Sequence, residues 1–289
     1  MTEQDINQAA SSVDMTAAEL YLDLLRKCLT RSIFNEKYRG LAPGDLEAAG
    51  VPIDLMHGWL SGKNLEIVRT VEFDSQSRAE GTDMPSEGET MIGLRRLQNL
   101  QECIADVLKQ KIEGDLLEAG VWRGGATIFM RGALQALGDR ERTVWVADSF
   151  AGLPPPNPEL YPADEGATWH LYNNVLAISL DEVKANFARY GLLDERVRFL
   201  KGWFKDTLPT APIERLAVLR LDGDMYESTI VTLRALYPKL SPGGYVIIDD
   251  YAPSIPGCLK AVDDFRSEYE ITEEMISTGH FGVFWKRLR

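Results

Sequence analysis

From Ala17 to Ile33 the apolar side chains recur at helical spacing, with Leu20, Leu24 and Cys28 on one row and Tyr21, Leu25 and Leu29 on the next. That spacing predicts a helix. The polar residues 1–15 before it are expected to be disordered, and residues 35–88, rich in Gly, Pro and acids, read as an irregular cap with short helical pieces. Helical spacing resumes from Met91 to Leu108, through Leu94, Leu97, Asn99 and Ile104. After Gly114 the pattern changes. Short apolar runs at 115–119, 143–148, 197–201, 216–222 and 244–249 alternate with helical patterns at 125–137, 180–190, 228–239 and 257–269. This alternation predicts βαβ units and a mainly parallel sheet covered on both faces. The tail, with I-S-T at 276–278 and F-G-V-F-W at 281–285, reads as a hairpin adding antiparallel strands at one edge. The organisation is then a disordered stretch (1–15), a helical cap or lid (16–88) and a Rossmann-like α/β domain (89–289). The long segment 150–175 falls between predicted elements, where such segments form lids or binding loops.

Composition narrows the class of partner. The chain has 289 residues, 45% of them hydrophobic, and a formal net charge of −13. A surface of that sign repels phosphates, so neither nucleic acid nor an anionic membrane is the expected partner. No apolar run approaches the roughly 20 residues that span a bilayer, and the start M-T-E-Q-D-I-N-Q-A-A reads as no signal peptide. Cys28, Cys103 and Cys258 are widely separated, and His57, His170 and His280 lack metal-motif spacing. Three reduced thiols and a cytoplasmic setting are the expectation.

Three groups of residues carry candidate chemistry. The run Glu118, Ala119, Gly120, Val121, Trp122, Arg123, Gly124, Gly125 follows a strand and opens a helix, where open parallel sheets bind ligands. Its spacing is not G-x-G-x-x-G, and an acid beside the glycine turn suits a cationic, amino-acid-bearing cofactor better than a pyrophosphate. Asp148 closes the next strand, in V-W-V-A-D-S-F ahead of Ser149 and Phe150. A carboxylate there can accept from both hydroxyls of a ribose. That supports an adenosine without choosing between NAD and S-adenosylmethionine. The third group is D-G-D at 222–224 with D-D at 249–250, at the ends of two successive strands. Asp222, Asp224, Asp249 and Asp250 then crowd one rim with no basic partner expected. Such a set is costly unless a cation intervenes, and all-oxygen ligation suits Mg²⁺. His170 in the long loop, Trp203 and Phe204 after the third strand, and Thr90 with Met91 before a helix are weaker candidates.

These motifs resemble those of the macrocin and mycinamicin O-methyltransferases, a family acting on sugar hydroxyls of antibiotics. The resemblance runs through E-L-Y-L-D-L-L-R-K-C-L-T (19–30), T-M-I-G-L-R-R-L-Q-N-L (90–100), L-E-A-G-V-W-R-G-G (117–125), V-W-V-A-D-S-F-A-G-L-P (144–154), G-W-F-K-D-T-L-P (202–209), L-R-L-D-G-D (219–224) and I-I-D-D-Y (247–251). It implies a class I methyltransferase fold, S-adenosylmethionine as cofactor and Mg²⁺ held by Asp222, Asp249 and Asp250. It further implies Asp224 or a ligating carboxylate as base, and His170 near the acceptor. Glu118 to Gly125, Asp148 to Phe150, Thr90 with Met91, and Gly202 to Phe204 would line the cofactor. A small glycoside is the implied acceptor and a homo-oligomer the implied assembly. Residues 35–88 match only loosely, and 154–169 is unusually proline-rich.

The main alternative is a Mg²⁺-dependent methyltransferase of catechols or other vicinal diols. An NAD(P) oxidoreductase is disfavoured by the missing G-x-G-x-x-G and the missing Y-x-x-x-K pair, and a non-catalytic cofactor-binding subunit by the complete carboxylate set.

Overall fold

The computed structural model describes residues 15–34, 36–40, 60, 63, 65 and 68–289. Helix α1 (Ala17–Leu29) begins in a reciprocal cap, the Thr16 hydroxyl accepting from Glu19 N–H while Glu19 accepts from Thr16 N–H. It stops at Thr30, whose hydroxyl bonds the Arg26 carbonyl, and Arg31 turns the chain away at φ 56°. The helix therefore ends four residues before the predicted limit of 33. Its Leu22, Leu25 and Leu29 are buried, each contributing about 1.5–3 kcal/mol.

In the cap segment, β1 (Tyr38–Gly40) and β2 (Val68–Thr70) pair antiparallel, followed by the short helix α2 (Ser75–Glu80). The sequence pattern did not predict this strand pair; every residue of β2 is exposed, so no alternation marks it. The expected disorder at the N-terminus, and most of 41–67 with His57, lie outside the described residues.

Helix α3 (Gly93–Lys109) leads into the main sheet. Its core follows the predicted alternation: β3 (Asp115–Ala119), α4 (Gly125–Ala136), β4 (Val144–Asp148), the loop with short helix α5 (Asn173–Leu176), and α6 (Leu180–Arg189). Then come β5 (Val197–Lys201), the single turn α7 (Phe204–Thr207), β6 (Leu216–Leu221), α8 (Tyr226–Leu236), β7 (Leu240–Ile248) and α9 (Pro256–Glu268). Strands β8 (Ile276–Ser277) and β9 (Val283–Lys286) close the chain as the expected hairpin. The spatial order is β5-β4-β3-β6-β7-β9-β8, parallel from β5 to β7 and antiparallel from β7 to β8. Strand β7 starts earlier than predicted because Leu240 pairs with Leu216 ahead of an irregularity in the ladder.

All six residues of β6 are buried, as a central parallel strand covered on both faces requires. One apolar layer joins α1, α3, α4 and α6 to the sheet through residues such as Leu25, Leu97, Phe129 and Phe187. The other joins α8 and α9 through Leu233, Leu236, Val262 and Phe265. No helix among the described residues is long and apolar enough to cross a membrane.

The chain proceeds outward through β4 and β5, then returns to the other side of β3 for β6. The order thus reverses between β3 and β6, the place where such sheets bind ligands at their carboxyl ends.

Candidate functional site

Backbone hydrogen bonds continue past the strand ends and place each candidate residue in turn. Gly120 N–H donates to the Ala147 carbonyl, Asp222 N–H to Ala119, Asp249 N–H to Leu221 and Gly202 N–H to Asp148, all at 2.9 Å. The turn at Gly120 is so close to the neighbouring strand end that a Cβ there would stand 1.7 Å from the Asp222 carbonyl oxygen. Gly120 also has φ 89°, which a side chain would strain.

These strand ends form the floor of a cavity of about 1580 Å³. Its wall includes Thr90, Met91, Glu118, Gly120, Val121, Trp122, Arg123, Asp148, Ser149, Gly202, Trp203, Phe204, Asp222, Asp224, Asp249 and Asp250. Five other predicted residues are elsewhere. Ala119 is in the core beneath the floor, and Phe150 is buried with its ring 6.4 Å from that of Phe199. Gly124 and Gly125 start α4; a Cβ on Gly125 would meet the Glu89 carbonyl at 2.5 Å, so this glycine lets the strap at Glu89 and Thr90 cross the helix. His170 does not line the cavity although Trp169 and Leu171 do, and its Nδ1 is buried without a partner.

At the carboxylate rim, Asp222, Asp249 and Asp250 each offer an oxygen within 4.8 Å of the others, an arrangement able to hold a metal ion. Asp224 is outside that trio. Its backbone N–H donates to Asp250 Oδ2 at 3.0 Å, and its φ of 57° is left-handed, a costly conformation for a non-glycine residue. Burial first, then the charges of Asp222 and Asp249, push the Asp224 carboxyl up to about 7. Burial followed by the Asp249 charge raises Asp222 to about 6, and burial with the Asp224 charge raises Asp250.

The expectation that these acids lack a basic partner is wrong. Arg220, 1% exposed, pairs with Glu118, with Asp222 at 2.9 Å and with Asp249. Arg96 of α3 binds Asp249 from the other side and donates to the carbonyls of Ile92 at 2.7 Å and Gly81 at 3.0 Å. Two guanidiniums thus offset part of the charge, and Asp249 is held at both oxygens. Arg220 is the lone charged residue in the run L-A-V-L-R-L, a pattern that by itself marks a buried cation in need of acids. Arg96 has no comparable signal.

At the glycine turn, Glu118 is buried in the cavity wall with Oε2 unpartnered, and burial raises its carboxyl to about 8. An unmatched acceptor in the wall fits an ammonium or other donor of a ligand. Asp148 accepts from Val121 N–H at 2.8 Å on Oδ2, and from Phe150 N–H at 2.7 Å and the Ser149 hydroxyl at 3.4 Å on Oδ1, which together fix the plane of its carboxylate at the cavity wall. Beside Asp148, Trp122 donates its indole N–H to the Val175 carbonyl at 2.9 Å, and the Arg123 guanidinium stacks on the Trp122 ring at 4.2 Å. Arg123 also donates to the carbonyls of Ser86 and Gly88, so the glycine turn is braced to the cap segment and to the mid-chain loop together. The rest of the wall is largely apolar, from Met84, Trp169, Leu171, Tyr172, Val175 and the 38%-exposed Trp203.

The family model described as Macrocin-O-methyltransferase (TylF) matches residues 18–287. The chain is similar to the demethyldecarbamoylnovobiocin O-methyltransferase of Streptomyces niveus, 47% identical over 94% of this chain and 95% of that protein. It is also similar to the mycinamicin III 3''-O-methyltransferase of Micromonospora griseorubida, 45% identical over 94% of this chain and 98% of that protein. Among solved structures, the O-methyltransferase NovP superposes with a TM-score of 0.80 at 46% identity, covering 94% of this chain and 100% of its own. The calicheamicin methyltransferase CalS11 shares the fold, with a TM-score of 0.51 at 18% identity over 72% of this chain and 88% of that one.

Proposed function

Because the chain belongs to the Macrocin-O-methyltransferase (TylF) family of S-adenosylmethionine-dependent O-methyltransferases, we propose that it methylates a sugar hydroxyl of a glycosylated natural product with the help of Mg²⁺. The observation that carries the metal reading is the trio Asp222, Asp249 and Asp250, with oxygens within 4.8 Å at the rim of a ligand-sized cavity. The names of the relatives from S. niveus and M. griseorubida, and of a Streptomyces olivaceus protein 48% identical over 93% of this chain that acts on a tetracenomycin rhamnoside, support a sugar acceptor.

When bound, the cofactor supplies a methyl group already activated on a sulfonium. Asp148 would hold its ribose, Glu118 with the unpartnered Oε2 would take the ammonium of its amino-acid end, and Trp203 and Phe204 would flank its base. A divalent cation at the trio would supply Lewis acidity toward two neighbouring hydroxyls. Asp224, at the rim beside the trio, would take the proton from the acceptor hydroxyl as the oxygen gains the methyl. The loop 150–175 and the cap residues 81–87, braced by Trp122 and Arg123, would shield the site from water.

An acceptor panel tests the reading. With S-adenosylmethionine, deoxysugar glycosides bearing a vicinal diol should be methylated and catechols should not. Methylation of catechols alone would favour the vicinal-phenol alternative.

A further inference from the structure

Helix α8 begins two residues after Asp224, and its N-cap residue, Met225, has no side chain able to cap it. The cap comes from elsewhere in the chain. Asp164, in the mid-chain loop and 1% exposed, accepts from Tyr226 N–H at 2.6 Å through Oδ1 and from Glu227 N–H at 3.1 Å through Oδ2. Tyr161 of the same loop packs its ring 5.9 Å from that of Tyr226. Room for the carboxylate is made by Gly257 at the start of α9, where a Cβ would stand 2.6 Å from Asp164 Oδ1. Three residues on, Ala167 N–H closes a turn onto the Asp164 carbonyl, and the next turn carries Trp169, Leu171 and Tyr172 to the cavity wall.

We propose that Asp164 is a positioning residue, a latch that fastens the acceptor-facing loop to the helix start behind Asp224. The wall and the base are thereby set by one carboxylate. The argument rests on the reading of that loop as acceptor wall, but the latch itself requires no knowledge of the acceptor. An acid between two helix N-termini is favoured there by the dipoles of both. Losing it opens the loop and frees the strained turn at Asp224, while the cofactor half of the cavity, built from β3 and β4, keeps its shape.

The test is amide hydrogen exchange by mass spectrometry on the full chain, with S-adenosylhomocysteine affinity measured alongside. Asp164→Ala should raise exchange at least tenfold in peptides covering 168–176 as well as at 226–227, with cofactor-product affinity changed less than about twofold. Asp164→Asn keeps one acceptor oxygen and should be intermediate. Gly257→Ala, which leaves the carboxylate but crowds it, should loosen the same two segments. If exchange rises only at 226–227, Asp164 is a helix cap and no latch. A rise across every peptide, or loss of S-adenosylhomocysteine binding in the Asn variant, equally overturns the proposal. Because no acceptor is used, these outcomes are independent of whether the substrate is a sugar.

Discussion

Arg220 sits opposite Glu118 in register across the β3–β6 ladder, and from that one position its guanidinium reaches Glu118, Asp222 and Asp249. The pair joins two parts of the cavity: Glu118 lines the wall beside Gly120, and the two aspartates form the rim.

Removing Arg220 should therefore damage both parts. Arg220→Met leaves three carboxylates without their shared cation, and breaking a buried ion pair from one side costs about 3–5 kcal/mol. Urea unfolding should show a loss of that size. Arg220→Lys should recover little, since one ammonium cannot serve three acids in a fixed fork. A stability loss below about 1 kcal/mol would mean that the arginine does not hold the three acids together.

The metal-free protein should lose stability as pH rises. Glu118, Asp222 and Asp224 sit at about 8, 6 and 7 in the folded chain, raised first by burial, against about 4 when unfolded. Between those values the folded state binds more protons than the unfolded one, so the slope of stability against pH is negative. The stabilisation is complete below about pH 4 and lost as pH climbs through 6 to 8. Melting temperatures of chelated protein across pH 5–8 should fall, and added Mg²⁺ should flatten the decline. A rise over that range would contradict the assigned shifts.

Asp148→Ala should weaken S-adenosylhomocysteine binding by about 1–3 kcal/mol, the cost of leaving ribose hydroxyls unmatched. Calorimetry measures this directly. Equal affinity in both proteins would remove Asp148 from the ribose site.

Gly120→Ala should be worse than a loop substitution usually is. The added carbon collides with the Asp222 carbonyl oxygen at 1.7 Å, and φ there is 89°. Overpacking of this kind costs about 1–3 kcal/mol before the φ strain is counted. The variant should melt lower and lose cofactor affinity together; unchanged affinity would show that the turn can shift without disturbing the floor.

Much of this architecture was legible in the residue order because each parallel strand is a short apolar run ended by a functional acid or glycine. The β3 and β5 bounds agree with the pattern residue for residue. The features that escaped it are nonlocal. Helix α8 starts at Tyr226 instead of 228 because its cap, Asp164, comes from 62 residues away. The charge balance of the rim depends on Arg96, which lies 153 residues from Asp249. Every residue of β2 is exposed, so no alternation records the β1–β2 pair. Which side chains of the turn 169–172 reach the cavity wall, Trp169, Leu171 and Tyr172, is likewise set by tertiary placement.

The most direct test of the account is a Mg²⁺ titration of methyl transfer after chelation, in wild type, Asp222→Asn and Asp224→Asn. Chelated wild type should be inactive and regain full turnover with Mg²⁺. Asp222→Asn should need more metal to reach its maximum. Asp224→Asn should saturate at the wild-type metal concentration with turnover lowered about 10²–10⁴-fold, the range for a lost general base. Full activity of the wild type in excess chelator would contradict the account.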